Sequence, residues 1–134
     1  TSIVHFVGDM HCPEHICYNP DDMTIGYYEV TFHKKPLRFH TLWDDIIITD
    51  RRDWSFSDLA YLMDHYSDED IAEWTSGDVW DWAKDSAICS YPVHQTKEGD
   101  VIDKLYTLRN QQLAEMQIVK AGHRLAELLN RIFK

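Results

Sequence analysis

The last quarter of the chain constrains the fold most. From Asp100 to Phe133 the apolar residues Ile102, Leu105, Leu108, Leu113, Met116, Val119, Leu125, Leu128, Leu129 and Ile132 recur every three or four positions. That period belongs to a helix with one apolar side. At about 1.5 Å per residue, such a helix runs the length of a small domain, so the rest of the chain has to pack around it. The stripe reads as core packing, with Gly122 the candidate for a bend.

Upstream, the signals are shorter. Ser2 to Asp9 carries Ile3, Val4, Phe6 and Val7 and reads as the end of a buried helix, stopped by Pro13. Asn19-Pro20-Asp21-Asp22 is a turn sequence. Tyr27 to Phe32, aromatic and β-branched, is the one good strand candidate, with Pro36 closing it. Arg38 to Thr49 places Leu42, Trp43, Ile46 and Ile47 at helical spacing. Ser57 is expected to cap a helix over Asp58–Tyr66, and Ser67 with Asp70 forms a capping-box pattern for the next. After Gly77, a face of Val79, Trp80, Ala83, Ala87 and Ile88 continues to Pro92. The expected class is mainly α, with at most one short strand or hairpin. Residues 1–134 form a single domain portion with no internal repeat.

Charge and composition narrow the function. Twenty-three acidic residues against 13 basic ones give a formal net charge of -10. Phosphate neutralisation by Lys and Arg drives ordinary nucleic-acid grooves, so that balance argues against one and favours a protein that gathers cations. Eight His among these acids point to metal ligation. Three Cys, at positions 12, 17 and 89, are too few for a disulfide scaffold or a four-Cys zinc knot. No apolar run approaches the roughly 20 residues that span a bilayer. Ser2 to Met10 lacks the basic lead-in of a signal peptide. A start at Thr1 rather than Met reads as a processed, truncated or fragmentary chain.

Two segments carry the chemistry. His5-Phe6-Val7-Gly8-Asp9-Met10-His11-Cys12-Pro13-Glu14-His15 sets His5 and Asp9 four apart, on one face of a helix, with His15 six residues further on. Phe39-His40-Thr41-Leu42-Trp43-Asp44 repeats the spacing with His40 and Asp44. One such pair is an ordinary surface contact worth ~0.3 kcal/mol. Two pairs plus a third imidazole favour a metal, and neutral imidazole with carboxylate is a typical zinc set.

The first segment closely resembles the signature of the zinc-dependent single-strand nucleases, the nuclease S-one / P-one family of fungi, plants and bacteria. Glu29-Val30-Thr31-Phe32 resembles that family's strand, and Leu37-Arg38-Phe39-His40-Thr41-Leu42-Trp43-Asp44 its Leu-His-x-x-Trp-Asp element. Gln117 to Ala126 is similar to its C-terminal helix. The resemblance implies an all-helical fold related to zinc phospholipase C, with up to three zinc ions at the bottom of a cleft. It implies that His5 and Asp9 serve a closely spaced zinc pair, with Asp9 the bridging, catalytic carboxylate, and that His15, His40 and Asp44 hold the third zinc. A carboxylate between two dications offsets their repulsion. The implied reaction is hydrolysis of phosphodiester bonds in single-stranded DNA or RNA, or of 3′-nucleotides, giving 5′-phosphate products. Three zinc ions also answer the charge problem, because they attract phosphate locally.

The same resemblance implies that this chain is the C-terminal half of a nuclease-like domain, whose missing N-terminal half completes the zinc pair. It also implies a secreted or periplasmic location. Cys89 stands near a family Cys that pairs with the N-terminal half. Cys12 and Glu14 replace Gln and Leu, and Thr24-Ile25-Gly26 replaces a base-holding Gly-Gly-Asn. Glu14 is expected to be a solvated loop charge, Cys12 a small buried residue, and His11 to point away from the site. His33, His65, His94 and His123 are expected to be structural. Two alternatives stay open: a phospholipase C-like or other phosphate-ester hydrolase with an altered pocket, and a non-catalytic helical metal-binding module.

Overall fold

Helix α7 (Lys104–Ile132) is the spine that the periodicity predicts. The Asp103 carboxylate caps it, accepting the Tyr106 backbone N–H at 2.7 Å, and an acid at this end also favours the helix dipole. The helix runs through Gly122 unbroken. The computed structural model that shows this describes residues 2–17, 21 and 27–134. Helices carry most of them, and none is long and apolar enough to cross a membrane.

The buried side of α7 differs from the predicted stripe. Leu105, Leu108 and Ile132 are exposed, while Thr107, Gln111, Ala114, Gln117, Val119, Lys120 and Arg124 are buried. Lys120, Arg124 and Gln111 are tolerated on that side because other parts of the chain satisfy them, whereas the Gln117 amide is buried without a hydrogen-bond partner. Lys120 Nζ and Arg124 Nη2 both donate to Asp85 Oδ2, at 2.8 and 2.7 Å. Arg124 Nε donates to the Trp74 carbonyl, and Gln111 donates to the carbonyl of Asp50.

Helices α1 (Ser2–His11), α4 (Phe56–Met63) and α5 (Asp68–Thr75) pack against this spine, and α6 (Val79–Ser90) packs against α1. The first helix is not the buried one expected: only Val7 and His11 are buried, and Ile3, Val4 and Phe6 face outward. Ser55, rather than Ser57, caps α4, because Ser55 and Asp58 form a reciprocal capping box and the helix ends at Met63. The predicted Ser67–Asp70 box caps α5 as expected. Before α6, Gly77 has φ 76°, and a Cβ there would lie 2.6 Å from Asp81 Oδ2, so the position requires glycine.

The strand candidate belongs to a small sheet of order β2-β1-β3: β1 (Glu29–Phe32), β2 (Lys35–Arg38) and β3 (Val101–Ile102). The expectation of at most one strand or hairpin is thus exceeded by β3, a two-residue strand running parallel to β1. Pro36 does not close the strand but sits within β2 opposite Thr31. An edge strand tolerates the missing N–H. His33 and Lys34 turn the hairpin with φ 48° and 64°, the backbone of a two-residue hairpin loop.

Beyond β2 the chain enters α2 (Phe39–Thr41), a π-helical turn (Leu42–Ile46) and α3 (Ile47–Thr49) without a break. Phe39, Leu42, Trp43 and Ile47 point inward and join Val30, Phe32, Val93, Ile102 and Ala114 in the core. Alternation along β1 buries Val30 and Phe32 against them. The sheet and this helical segment thus close on α7, with His40 half-buried and Asp44 exposed. The turn expected at Asn19–Asp22 lies outside the described residues, Asp21 aside.

Candidate metal centre

Each His-x-x-x-Asp pair forms within one continuous helical segment. On α1, His5 Nε2 lies 3.2 Å from Asp9 Oδ2. Across α2 and the π turn, His40 Nε2 lies 2.8 Å from Asp44 Oδ2. A π turn widens the helix and is common at functional sites. Here the Ile47 N–H reaches the Leu42 carbonyl five residues back.

His15 joins the two pairs. Its Nδ1 is 3.4 Å from Asp9 Oδ1 and its Nε2 is 3.1 Å from Asp44 Oδ1. Its ring stacks on that of His40, with centroids 5.0 Å apart and planes 25° apart. The loop that carries it is fixed at both ends. The His15 N–H donates to the Cys12 carbonyl at 2.9 Å, and His94 Nε2 donates to the Ile16 carbonyl at 2.7 Å. All five residues expected as ligands therefore meet along one line, His5–Asp9–His15–Asp44–His40.

One atom tests whether a cation fits. His15 Nε2 is buried and has no hydrogen-bond partner, although Asp44 Oδ1 is close. A buried lone pair left unpaired is costly, and a metal would engage it. Donors on one tetrahedral zinc, each at about 2.0–2.1 Å, stand about 3.3 Å apart. The 3.1 Å from Asp44 Oδ1 to His15 Nε2 is close to that spacing, and the 2.8 Å from Asp44 Oδ2 to His40 Nε2 is shorter than it. Cys12, His15 and Asp44 form one group of metal-capable donors, and Glu14, His15 and His40 another, each with atoms within 4.8 Å of one another. Among the described residues, His5 and Asp9 belong to no such group, and His15, His40 and Asp44 are split between the two rather than forming one together.

Glu14 is the residue that the sequence reading misplaced. It is buried, and its Oε2 lies 2.5 Å from His40 Nδ1. Its position directly before His15, after a proline that fixes the loop, was the available signal. Cys12 is half-buried, and burial pushes its thiol up to about 11. It borders a cavity of about 320 Å³ beside His15 and Asp44, with Trp43, Ile47 and Ile118 as its apolar wall.

The remaining histidines have other duties. His11 points away from the centre, as expected, and is buried. Its Nδ1 donates to the Val7 carbonyl and its Nε2 accepts from Arg124 Nη1 at 2.9 Å. Burial lowers it to about 4, helped by the Arg124 charge, so the ring is neutral. Asp85 is pushed up by burial, but the bonds from Lys120 and Arg124 outweigh that and hold it below the usual carboxylate range. His33 bonds Asp50 and His123 bonds Asp64, while His65 donates to the Leu62 carbonyl. Cys12 and Cys89 are free thiols. Thr24-Ile25-Gly26 lies outside the described residues.

Comparison with known proteins places this geometry in context. A family described as S1/P1 nuclease matches residues 1–134. Endonuclease 2 of Arabidopsis thaliana is 27% identical over 146 residues, covering 98% of this chain and 50% of that protein. Endonuclease 4 of the same plant is 26% identical over 149 residues, covering 96% and 48%. Endonuclease 1 is 26% identical over 145 residues, covering 96% and 47%. The chain spans about half the length of the curated relatives it matches.

Proposed function

Because the chain belongs to the S1/P1 nuclease family, we propose that it forms part of a zinc-dependent phosphodiesterase acting on single-stranded nucleic acid or 3′-nucleotides and leaving 5′ phosphates. The buried, unpartnered His15 Nε2 facing Asp44 beside His40 carries this reading. His15, His40 and Asp44 would hold one zinc, while His5 and Asp9 would contribute to a zinc pair. Zinc bound there supplies Lewis acidity, a nucleophile available at neutral pH and positive charge at the phosphate.

The chain's own residues do the rest. Asp9 turns one carboxylate oxygen to His5 and the other to His15, so it connects the two parts of the centre; as the bridging carboxylate it would lie between the two ions of the pair. The stacked rings of His15 and His40 present their Nε2 atoms to Asp44. Phosphate attraction is then local in a chain whose formal net charge is -10. The remaining ligands of the pair come from outside these 134 residues, a reading supported by the half-length match to the relatives.

The test assays the intact protein with zinc on single-stranded DNA, a 3′-mononucleotide and phosphatidylcholine vesicles, with metal content measured in parallel. Cleavage of the nucleic-acid substrates, abolished by chelation and restored by zinc, is expected. Hydrolysis of the lipid alone would replace the nuclease reading with a phospholipase one. Bound zinc without any esterase activity would leave a metal-binding module.

A further inference from the structure

We infer that Glu14 is a positioning residue of the centre: it holds His40 through Nδ1 so that Nε2 presents its lone pair beside Asp44. The inference rests on the zinc reading above and adds a residue to it. Glu14 comes from the loop after α1, 26 positions before His40. Only 1% of its side chain is exposed. Removing a carboxylate from water is costly unless it is hydrogen-bonded, and its bond to His40 is short, 2.5 Å.

Imidazole carries its nitrogens on opposite sides of the ring, and the bond made by one fixes the role of the other. Two carboxylates face the ring, but only Glu14 meets its nitrogen in hydrogen-bond geometry, and a carboxylate accepts, so His40 carries its proton on Nδ1 and donates to Glu14 Oε2. Its Nε2, 2.8 Å from Asp44 Oδ2, is left with the lone pair a metal needs. The same arrangement excludes Glu14 as a co-ligand with His40 Nε2, because its oxygen lies on the far side of the ring. His15 Nε2 is 3.9 Å from Glu14 Oε2, beyond hydrogen-bond reach. The carboxylate thus selects one ring of the stacked pair. The bonds that fix the His15 loop hold Glu14 rigidly as well. Carboxylates behind ligating histidines set ring orientation and raise ligand basicity.

The test compares wild-type protein with Glu14→Leu, which removes the acceptor, and Glu14→Gln, whose amide oxygen still accepts from Nδ1–H. Imidazole ¹⁵N shifts of His40 in metal-free protein report the tautomer, and competition with a chromophoric chelator reports zinc affinity. Glu14→Leu should mix the tautomers and weaken zinc binding by about 10- to 100-fold. Glu14→Gln should keep the Nδ1–H form and recover part of that loss. Wild-type affinity in Glu14→Leu, or a folded Glu14→Gln as weak as Glu14→Leu, would overturn the inference. Should Glu14→Leu fail to fold, the wild-type tautomer still decides, since a proton on His40 Nε2 contradicts the role. Wild-type protein that takes up no zinc would instead overturn the metal reading.

Discussion

The two His-x-x-x-Asp pairs have the same spacing and different surroundings. His5 and Asp9 lie on the outer side of α1, with side chains 70% and 45% exposed. His40 and Asp44 are 37% and 39% exposed, with a buried carboxylate behind one ring and a second imidazole stacked against it. Helix geometry gives both pairs a contact worth only a few tenths of a kcal/mol in isolation. What turns the second into a candidate metal centre is the loop of Glu14 and His15, brought across from α1. The first pair takes its place in the centre only through Asp9, which reaches His15.

Removing a ring from the second pair should break that contrast most sharply. His40→Ala is expected to weaken zinc binding at the His15 group by more than about 100-fold with the helical circular dichroism spectrum intact. His5→Ala should leave zinc binding at that group unchanged. Loss of the fold without a change in metal content would make His40 a core residue instead. A corresponding stability measurement sharpens the result. Zinc at about 100 times its dissociation constant should stabilise wild-type protein by about 2.7 kcal/mol, and should not stabilise His40→Ala.

The next effect tests what anchors the first pair. Arg124 links α1 to α7 through His11 and shares Asp85 with Lys120. Arg124→Met should destabilise the protein by about 2–3 kcal/mol in urea unfolding, somewhat below the cost of breaking a fully buried pair because Lys120 still serves the part-exposed Asp85. Hydrogen exchange should rise in α1 more than in α3. Equal protection in both helices would show that the Arg124–His11 contact does not hold α1.

The smallest effect serves as a control remote from both pairs. Ser67→Ala and Ser55→Ala each remove one side of a capping box and should cost about 1 kcal/mol. Ser57→Ala should stay within about 0.5 kcal/mol of wild type. None of the three should alter zinc affinity. A cost at Ser57 equal to that at Ser55 would restore the cap expected from the sequence.

Local features were readable from the chain because their partners are three or four residues away. The Ser67–Asp70 box, the long terminal helix and both His-x-x-x-Asp contacts follow from helix geometry alone. Ser55 was readable too, since Asp58 stands three residues later, whereas Ala60 follows Ser57 at that offset. The hairpin turn at His33-Lys34 lacks the Asn or Gly that usually marks two residues of positive φ, so its signal was weak. The buried side of α7 was misread because Lys120 and Arg124 find Asp85 35 and 39 residues away, and nothing local announces that pairing.

The sequence by itself determined which side chains could act together on each helix, because an α-helix brings residues four apart onto one face whatever surrounds it. It also supplied the chemistry, imidazoles and carboxylates in a chain otherwise poor in positive charge. Only the tertiary structure decided that His15 stands between Asp9 and Asp44, and that Glu14 is buried against His40 rather than solvated. Those contacts depend on where α1 and the β2–α2 junction pack in space. Burial then does what spacing does not: it makes an unpaired donor costly and so gives each ring nitrogen a single role.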